Sequence, residues 1–254
     1  MFRHVIFILF FLNGMSVFGQ DSASVANDIT VLYRKESSGG VTIHSNGLGV
    51  LFRHGVQKTV KKKRMFEAEF VSMRHPKQYK ITNDAYPGDS KPFFYGKLNY
   101  VYIPRIGIGR QHVIFGKGDV SGVEVRLNYF TGVDLAFTKP YYVKVIEADP
   151  YNENFAVVVE KKYDPSDPNQ QDPTSFLGPG SYFSGFGLMK FYPGLYGKLS
   201  FSFEHSTEHQ KLAVLEAGMV FDIFYKPIPI MAYNQNEQYF FNFYISLLWG
   251  GKYN

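Results

Sequence analysis

Catalysis or metal binding in this chain would fall first to its seven histidines, since it contains no cysteine. His205 and His209 flank a short turn with Glu204 and Glu208 beside them, a spacing that a weak metal or acid–base site could use. Polar residues at a tight turn explain the same pattern. His44 stands next to Ser45, two residue types of a nucleophilic pair, but neighbours along a strand point to opposite faces and do not converge. The stretch "GIGRQHVIFGKGD" sets Lys117 among glycines. It lacks the G-x-x-x-x-G-K-[ST] spacing of a phosphate loop and no helix follows, so Gly116 and Gly118 are assigned to a hairpin turn. The run "KTVKKKR" (Lys58, Lys61, Lys62, Lys63, Arg64) reads as a solvated basic turn at a membrane surface. No motif marks a catalytic, cofactor-binding or metal site, and a non-enzymatic chain without cofactor is expected.

A second group of charged residues has a more informative spacing. Glu67, Glu69, Lys97, Arg105, Glu124, Arg126, Asp134, Lys198, Glu204, Glu216 and Asp222 alternate with apolar residues in segments of period two. Both signs are present, seven acidic and four basic. Residues in that arrangement can pair with one another inside a closed sheet, so they are expected to form an interior charge network.

The segments that would position them are strands. Segment 120–137 places Val123, Val125, Leu127, Tyr129, Val133, Leu135 and Phe137 on one face, opposite Glu124, Arg126, Asn128 and Asp134. In 238–250, Tyr239, Phe241, Phe243, Ile245, Leu247 and Trp249 form one apolar face. Such alternation is the mark of a strand with two unlike faces. Further candidates lie near 28–36, 41–54, 63–75, 94–109, 194–206 and 211–225. The alternation slips a phase near Asn46–Gly49, which reads as a bulge, and "SSGG" reads as a short turn.

A sandwich with a charged outer face would give the same alternation. Two features favour a membrane barrel instead. The segments are long and their apolar faces are aromatic near both ends, while a bilayer requires strands of about 9–11 tilted residues. Aromatics make up 18% of the chain, with 25 Phe and 19 Tyr. Counted back from the last strand, connections alternate long and short, as in barrels with long external loops and short periplasmic turns. The expected fold is therefore all-β: a closed antiparallel transmembrane barrel of about eight strands with both termini periplasmic. A large excursion over 138–193 would project outside, with "YYVKVIEA" and "NFAVVVEKKY" as a hairpin and "DPSDPNQQDPTSFLGPGS" as exposed loop. The start "MFRHVIFILFFLNGMSVFGQ" has a basic n-region, an apolar core too short to span a bilayer, and small residues at 17 and 19. It is expected to be a cleavable signal peptide over 1–19, leaving 20–254 as a single domain. Secretion argues against nucleic acid as a partner.

Stretches such as "HSNGLGVLFRHG", "EFVSMRHPKQYK", "FFYGKLNYVYIPRIGIGRQ" and "FGKGDVSGVEVR" resemble small outer-membrane β-barrel proteins of Bacteroidota, of the hypothetical or porin-family kind. The resemblance covers most of the mature chain and carries no catalytic motif. It implies an outer-membrane location with lipid and other outer-membrane or periplasmic proteins as partners. It also implies an accessory, scaffolding role in a larger machine such as one for barrel assembly or secretion. Two alternatives stay open: a narrow porin-like channel, and a lipid-modifying outer-membrane enzyme. Tyr141, Tyr142, Phe155 and Phe176 put aromatic area into the 138–193 excursion and are the expected partner-facing residues.

Overall fold

A strand with an apolar and a polar face can satisfy its edge groups by closing a ring, and the computed structural model shows that solution. It describes residues 33–117, 122–149, 151–205 and 210–254, without the side chains of 152–155. Among them, eight strands form one closed antiparallel barrel. These are β1 (Lys35–His44), β2 (Gly47–Thr59), β3 (Lys62–Met73), β6 (Asn99–Phe115), β7 (Glu124–Pro140), β11 (Lys190–Glu204), β12 (Lys211–Ile228) and β13 (Glu237–Tyr253). Each barrel strand pairs with the next in the chain, and β1 closes the ring on β13 from Lys35 opposite Tyr253 to His44 opposite Tyr244.

The remaining strands lie between barrel strands. β4 (Lys80–Ile81) and β5 (Phe93–Phe94) pair within the connection from β3 to β6. β8 (Tyr142–Asp149), β9 (Asn152–Lys162) and β10 (Phe176–Pro179) form a three-stranded sheet within the connection from β7 to β11. Both of these connections, and the one from β12 to β13, leave the same end of the barrel. The other end carries the shorter links from β2 to β3, β6 to β7 and β11 to β12.

The barrel is inverted relative to a soluble domain. On β13, Tyr239, Phe241, Phe243, Ile245, Leu247 and Trp249 are exposed, while Phe240, Asn242, Tyr244, Ser246 and Leu248 are buried. Tyr129 and Val133 of β7 likewise face outward, while Arg126, Asn128 and Asp134 are buried. Outward aromatics pair near the end that carries the long connections, where Phe70 stacks on Tyr102 and Phe137 meets Phe191 edge-on.

The first two strands differ from the sequence expectation. "SSGG" is not a turn but the middle of β1, and the chain reverses at Ser45–Asn46. Part of the expected 28–36 strand, like the 1–19 signal segment, lies outside the described residues. The physical reason is that the β13 backbone requires a small residue at Gly40 within the strand. A Cβ at Gly40 would strike the Leu247 backbone carbonyl, whereas one at Gly39 would meet only the Leu51 carbonyl at 3.8 Å. The apparent slip at Asn46–Gly49 is the hairpin itself, whose two turn residues are Ser45 and Asn46, with His44 paired to Gly47. The expected exposed loop at 164–181 is also partly ordered. Asp167 and Asp172 each cap a short 3₁₀ turn, over Pro168–Gln170 and Pro173–Ser175, and β10 follows, paired to β8.

If β1 is a strand through its glycines, Gly40→Ala should destabilise the barrel by about 1–3 kcal/mol through forced backbone movement, while Gly39→Ala should be close to neutral. Urea titration of the folded, heat-modifiable band of each variant in detergent would measure this. Equal tolerance of both changes would contradict the β1–β13 register.

Candidate functional site

A lumen lined by charged side chains is stable only if each charge finds a partner, because one left alone in a dry interior is costly. The central lumen meets this requirement through strands far apart in sequence, except at Asp134, whose buried carboxylate oxygens have no hydrogen-bond partner among the described residues. Arg53 of β2 forks across the barrel, its Nε bonding Glu67 at 2.6 Å and its Nη2 bonding Glu216 of β12 at 2.7 Å. Arg105 of β6 binds both oxygens of Asp222 at 2.8 Å and reaches Glu69 at 3.1 Å. The ammonium of Lys198 from β11 lies between Glu67 and Glu69, at 3.2 and 3.3 Å. Glu216 also accepts from Asn128 at 2.9 Å and Tyr244 at 2.6 Å, and His44 contacts Glu69 at 3.2 Å. Aromatic faces fill the space beside the cations: Phe130 under the Arg53 guanidinium at 4.7 Å and Tyr244 under Lys198 at 4.4 Å.

A second cluster lies toward the short-turn end. There Arg126 pairs with Glu204 and Glu124, Lys252 with Glu204, and Lys63 with Glu36. Toward the opposite end the lumen turns apolar. Ile230 and Met231, from the link between β12 and β13, pack with Met73, Val101, Ile103 and Phe224 across the mouth.

Of the residues expected in the charge network, Glu67, Glu69, Lys198, Glu216 and Asp222 come together in the centre, and Glu124, Arg126 and Glu204 in the second cluster. Asp134 is buried opposite Arg105 in the strand register, but the guanidinium extends past it to Asp222. Lys97 is a correction. It precedes β6, and its ammonium meets Gln78, Phe94 and Tyr100 instead of a lumen carboxylate. Arg53, His44, Glu36, Lys63 and Lys252 were not anticipated. Arg53 and His44 were obscured by the misplaced first hairpin, which scrambled the phase of β1 and β2. Lys252 lies beyond the expected end of the last strand. Of the other motifs, His44 faces the lumen while Ser45 donates to Asn242 at 3.1 Å. Lys117 lies 3.6 Å from Glu204. Glu208, His209 and Gly118 lie outside the described residues.

Above the apolar plug the three long connections share one core, a cap. Phe93, Tyr141, Val143, Val145, Tyr163 and Phe176 are buried together, with Leu98, Tyr100 and Ala232 against them. Hydrogen bonds cross between the connections: Lys91 N to Leu177 O at 2.8 Å, Leu98 N to Ile230 O at 2.9 Å and Ala232 N to Gly96 O at 2.7 Å. Asn83 donates from its side chain to the carbonyls of Thr174 and Phe176, at 2.6 and 2.9 Å. Tyr141 and Phe176 therefore cannot be partner-facing: they are core residues of the cap, placed there because its small sheet has one face to bury. Tyr142 is partly buried, its ring close to Gly185, and the Phe155 side chain lies outside the described residues. The exposed surface of the cap instead presents Tyr151, Val158 and Tyr79. Lys91, Lys144, Glu160 and Asp89 line an open groove of about 450 Å³ beside β10.

Lys97 joins the cap to the barrel. Its ammonium lies 4.0 Å from the Tyr100 ring and 4.6 Å from that of Phe94, and it donates to Gln78 Oε1 at 3.0 Å. Burial, with the charges of Arg74 and Lys139, pushes it down to about 7. Burial likewise raises the Tyr141 hydroxyl to about 12.

No family model matches the chain, and no curated protein sequence does either. Among solved structures it is similar to Ail, the attachment invasion locus protein of Yersinia pestis, crystallised with the heparin analogue sucrose octasulfate. Identity there is 8% and the TM-score 0.41, over 87% of this chain and 99% of that one. It is also similar to Neisserial surface protein A, at 9% identity and a TM-score of 0.40, over 87% and 96% of the two chains.

Two measurements test these assignments. Arg53→Leu leaves Glu67 and Glu216 without their guanidinium and is expected to cost about 3–5 kcal/mol, while Arg53→Leu with Glu216→Leu should recover part of the loss. Strict additivity in urea unfolding would show that the pair is uncoupled. For Lys97 the direction is fixed by linkage: between about pH 7 and 10 the unfolded chain keeps a proton that the folded cap has released, so stability rises with pH. Resistance of the cap to proteolysis should increase across that window, and Lys97→Met should flatten the increase. An unchanged slope in the variant would remove Lys97 as its source.

Proposed function

We propose that this protein is an integral outer-membrane β-barrel that holds a folded cap outside the cell as a scaffolding, accessory subunit of a larger outer-membrane complex. The observation that carries this reading is the shared core of the three long connections. A barrel needs only short links to close, yet here the links form a small folded unit seated on a plugged mouth. The apolar outer wall with its aromatic rings supports lipid as the surrounding solvent, because that much exposed apolar surface is unfavourable in water. A lumen crossed by Arg53, Arg105 and Lys198 with their carboxylates, then closed by Ile230 and Met231, favours a structural barrel over a diffusion pore. Residues 1–19 would act as the export signal, and the short-turn end would face the periplasm. Partners would be lipid, and outer-membrane or periplasmic proteins bound through exposed cap residues such as Tyr151 and Val158.

One observation favours a second reading, a lipid-modifying hydrolase. On the outer wall near the short-turn end, Ser37 Oγ lies 2.9 Å from His54 Nδ1 and 2.9 Å from the Tyr253 hydroxyl. A serine activated by such a base would react with a fluorophosphonate probe. The scaffolding reading expects no labelling at Ser37, and labelling abolished by His54→Ala would replace it with the hydrolase.

Purified protein in planar bilayers should show no large stable conductance. Tyr151→Ser combined with Val158→Ser should leave barrel assembly intact and remove co-purification with a larger complex from native membranes. Undiminished recovery of the same partners would place the interface elsewhere, and a reproducible porin-sized step would favour the channel.

A further inference from the structure

We infer that residues 181–189, "SYFSGFGLM", insert into the outer leaflet of the bilayer and fasten the cap to the membrane, an inference that rests on the membrane reading above. The segment returns from the cap to β11. In it Tyr182, Phe183, Phe186 and Leu188 are 51, 79, 46 and 56% exposed. These side chains are left out of the cap core, which is filled instead by Phe93, Tyr141, Tyr163 and Phe176. Water is a poor surrounding for four large apolar side chains within seven residues, so a covering surface is implied.

The geometry identifies that surface. Gly185, at φ +87°, leads into a single 3₁₀ turn, Phe186–Leu188, which packs against β7 of the barrel. Two contacts hold it there. The Tyr182 hydroxyl is 2.7 Å from that of Tyr102, which faces outward on β6 and stacks on Phe70. The Lys139 ammonium donates to the Tyr182 carbonyl and lies 4.1 Å from the Tyr182 ring and 4.9 Å from that of Phe186. The exposed aromatics thus continue the outward ring of Phe70, Tyr102, Phe137 and Phe191 without a break. Whatever covers that ring covers the segment, and for a membrane barrel it is lipid. Lys190, exposed at the start of β11, is placed to meet anionic headgroups. Aromatic rings flanked by lysine are side chains that settle at a membrane interface. A protein partner would have to displace lipid from the ring to reach the same residues.

The chain's single tryptophan makes the test direct. Trp249 faces outward on β13, at the opposite end of the barrel. Phe183→Trp would be made in a Trp249→Phe background and reconstituted, as full-length mature protein, into phosphatidylcholine vesicles containing shallow- or deep-brominated lipid. The expected result is blue-shifted emission from the introduced tryptophan, strong quenching by the shallow bromines, weaker quenching by the deep ones, and protection from aqueous iodide. The unaltered protein supplies the control, since Trp249 reports whether the barrel itself is in lipid. Quenching of Trp249, with an introduced tryptophan open to iodide and insensitive to bromine, would overturn the inference and leave the barrel reading intact. Absence of lipid quenching at both positions would overturn both.

Discussion

The structure depends on the mutual neutralisation of charges inside the barrel. With most of its apolar side chains turned outward, the ring encloses a polar centre, where Arg53, Arg105 and Lys198 must share a space with the carboxylates of Glu67, Glu69, Glu216 and Asp222. No cation there pairs only with a neighbour on the adjoining strand. Arg53 joins β2 to β12, Arg105 joins β6 to β12 and β3, and Lys198 joins β11 to β3. These links cross the lumen, so they are made only when the ring is closed and correctly registered. A one-residue slip of any strand would turn its charges toward the outer wall.

That constraint explains the distribution of apolar material. Inside the barrel it is confined to layers: Ile230, Met231 and Phe224 at the capped mouth, Phe130, Tyr196 and Tyr244 beside the cations, and Leu51, Leu212 and Leu248 toward the short turns. Each layer shields the charges next to it from water, and so strengthens their pairing. The cap continues the column upward, with its own core above the plug and Lys97 at the junction between Phe94 and Tyr100. Barrel and cap thus form one packed body, in which links between strands contribute to structure as well as to display.

Outside, the aromatic residues have a different role. Phe70, Tyr102, Phe137 and Phe191 ring the capped end, and the segment from Tyr182 to Leu188 extends that ring onto a connection. Aromatic side chains are thus divided among three environments, namely the cap core, the faces beside lumen cations and the outer wall. Composition alone does not distinguish these.

What the sequence determined by itself is the inside and the outside. Period-two alternation in β7, β11, β12 and β13 identified the polar face as well as the apolar one, because strand geometry leaves a side chain only two directions. Strand count followed from the same pattern, and the alternation of long and short connections from the chain. Tertiary structure alone decided the partners. Lys97 alternates with apolar neighbours as convincingly as Lys198 does, yet it lies in the cap, because alternation says which way a side chain points and not what stands opposite. The glycines of β1 read as a turn, because only the β13 backbone pressing on Gly40 shows why a small residue stands within the strand. Tyr141 and Phe176 read as exposed anchors because a loop's composition does not reveal that two other loops, distant in sequence, will fold over it. Local chemistry sets direction and periodicity, but burial is a property of the neighbours, and those are brought together only by closing the ring.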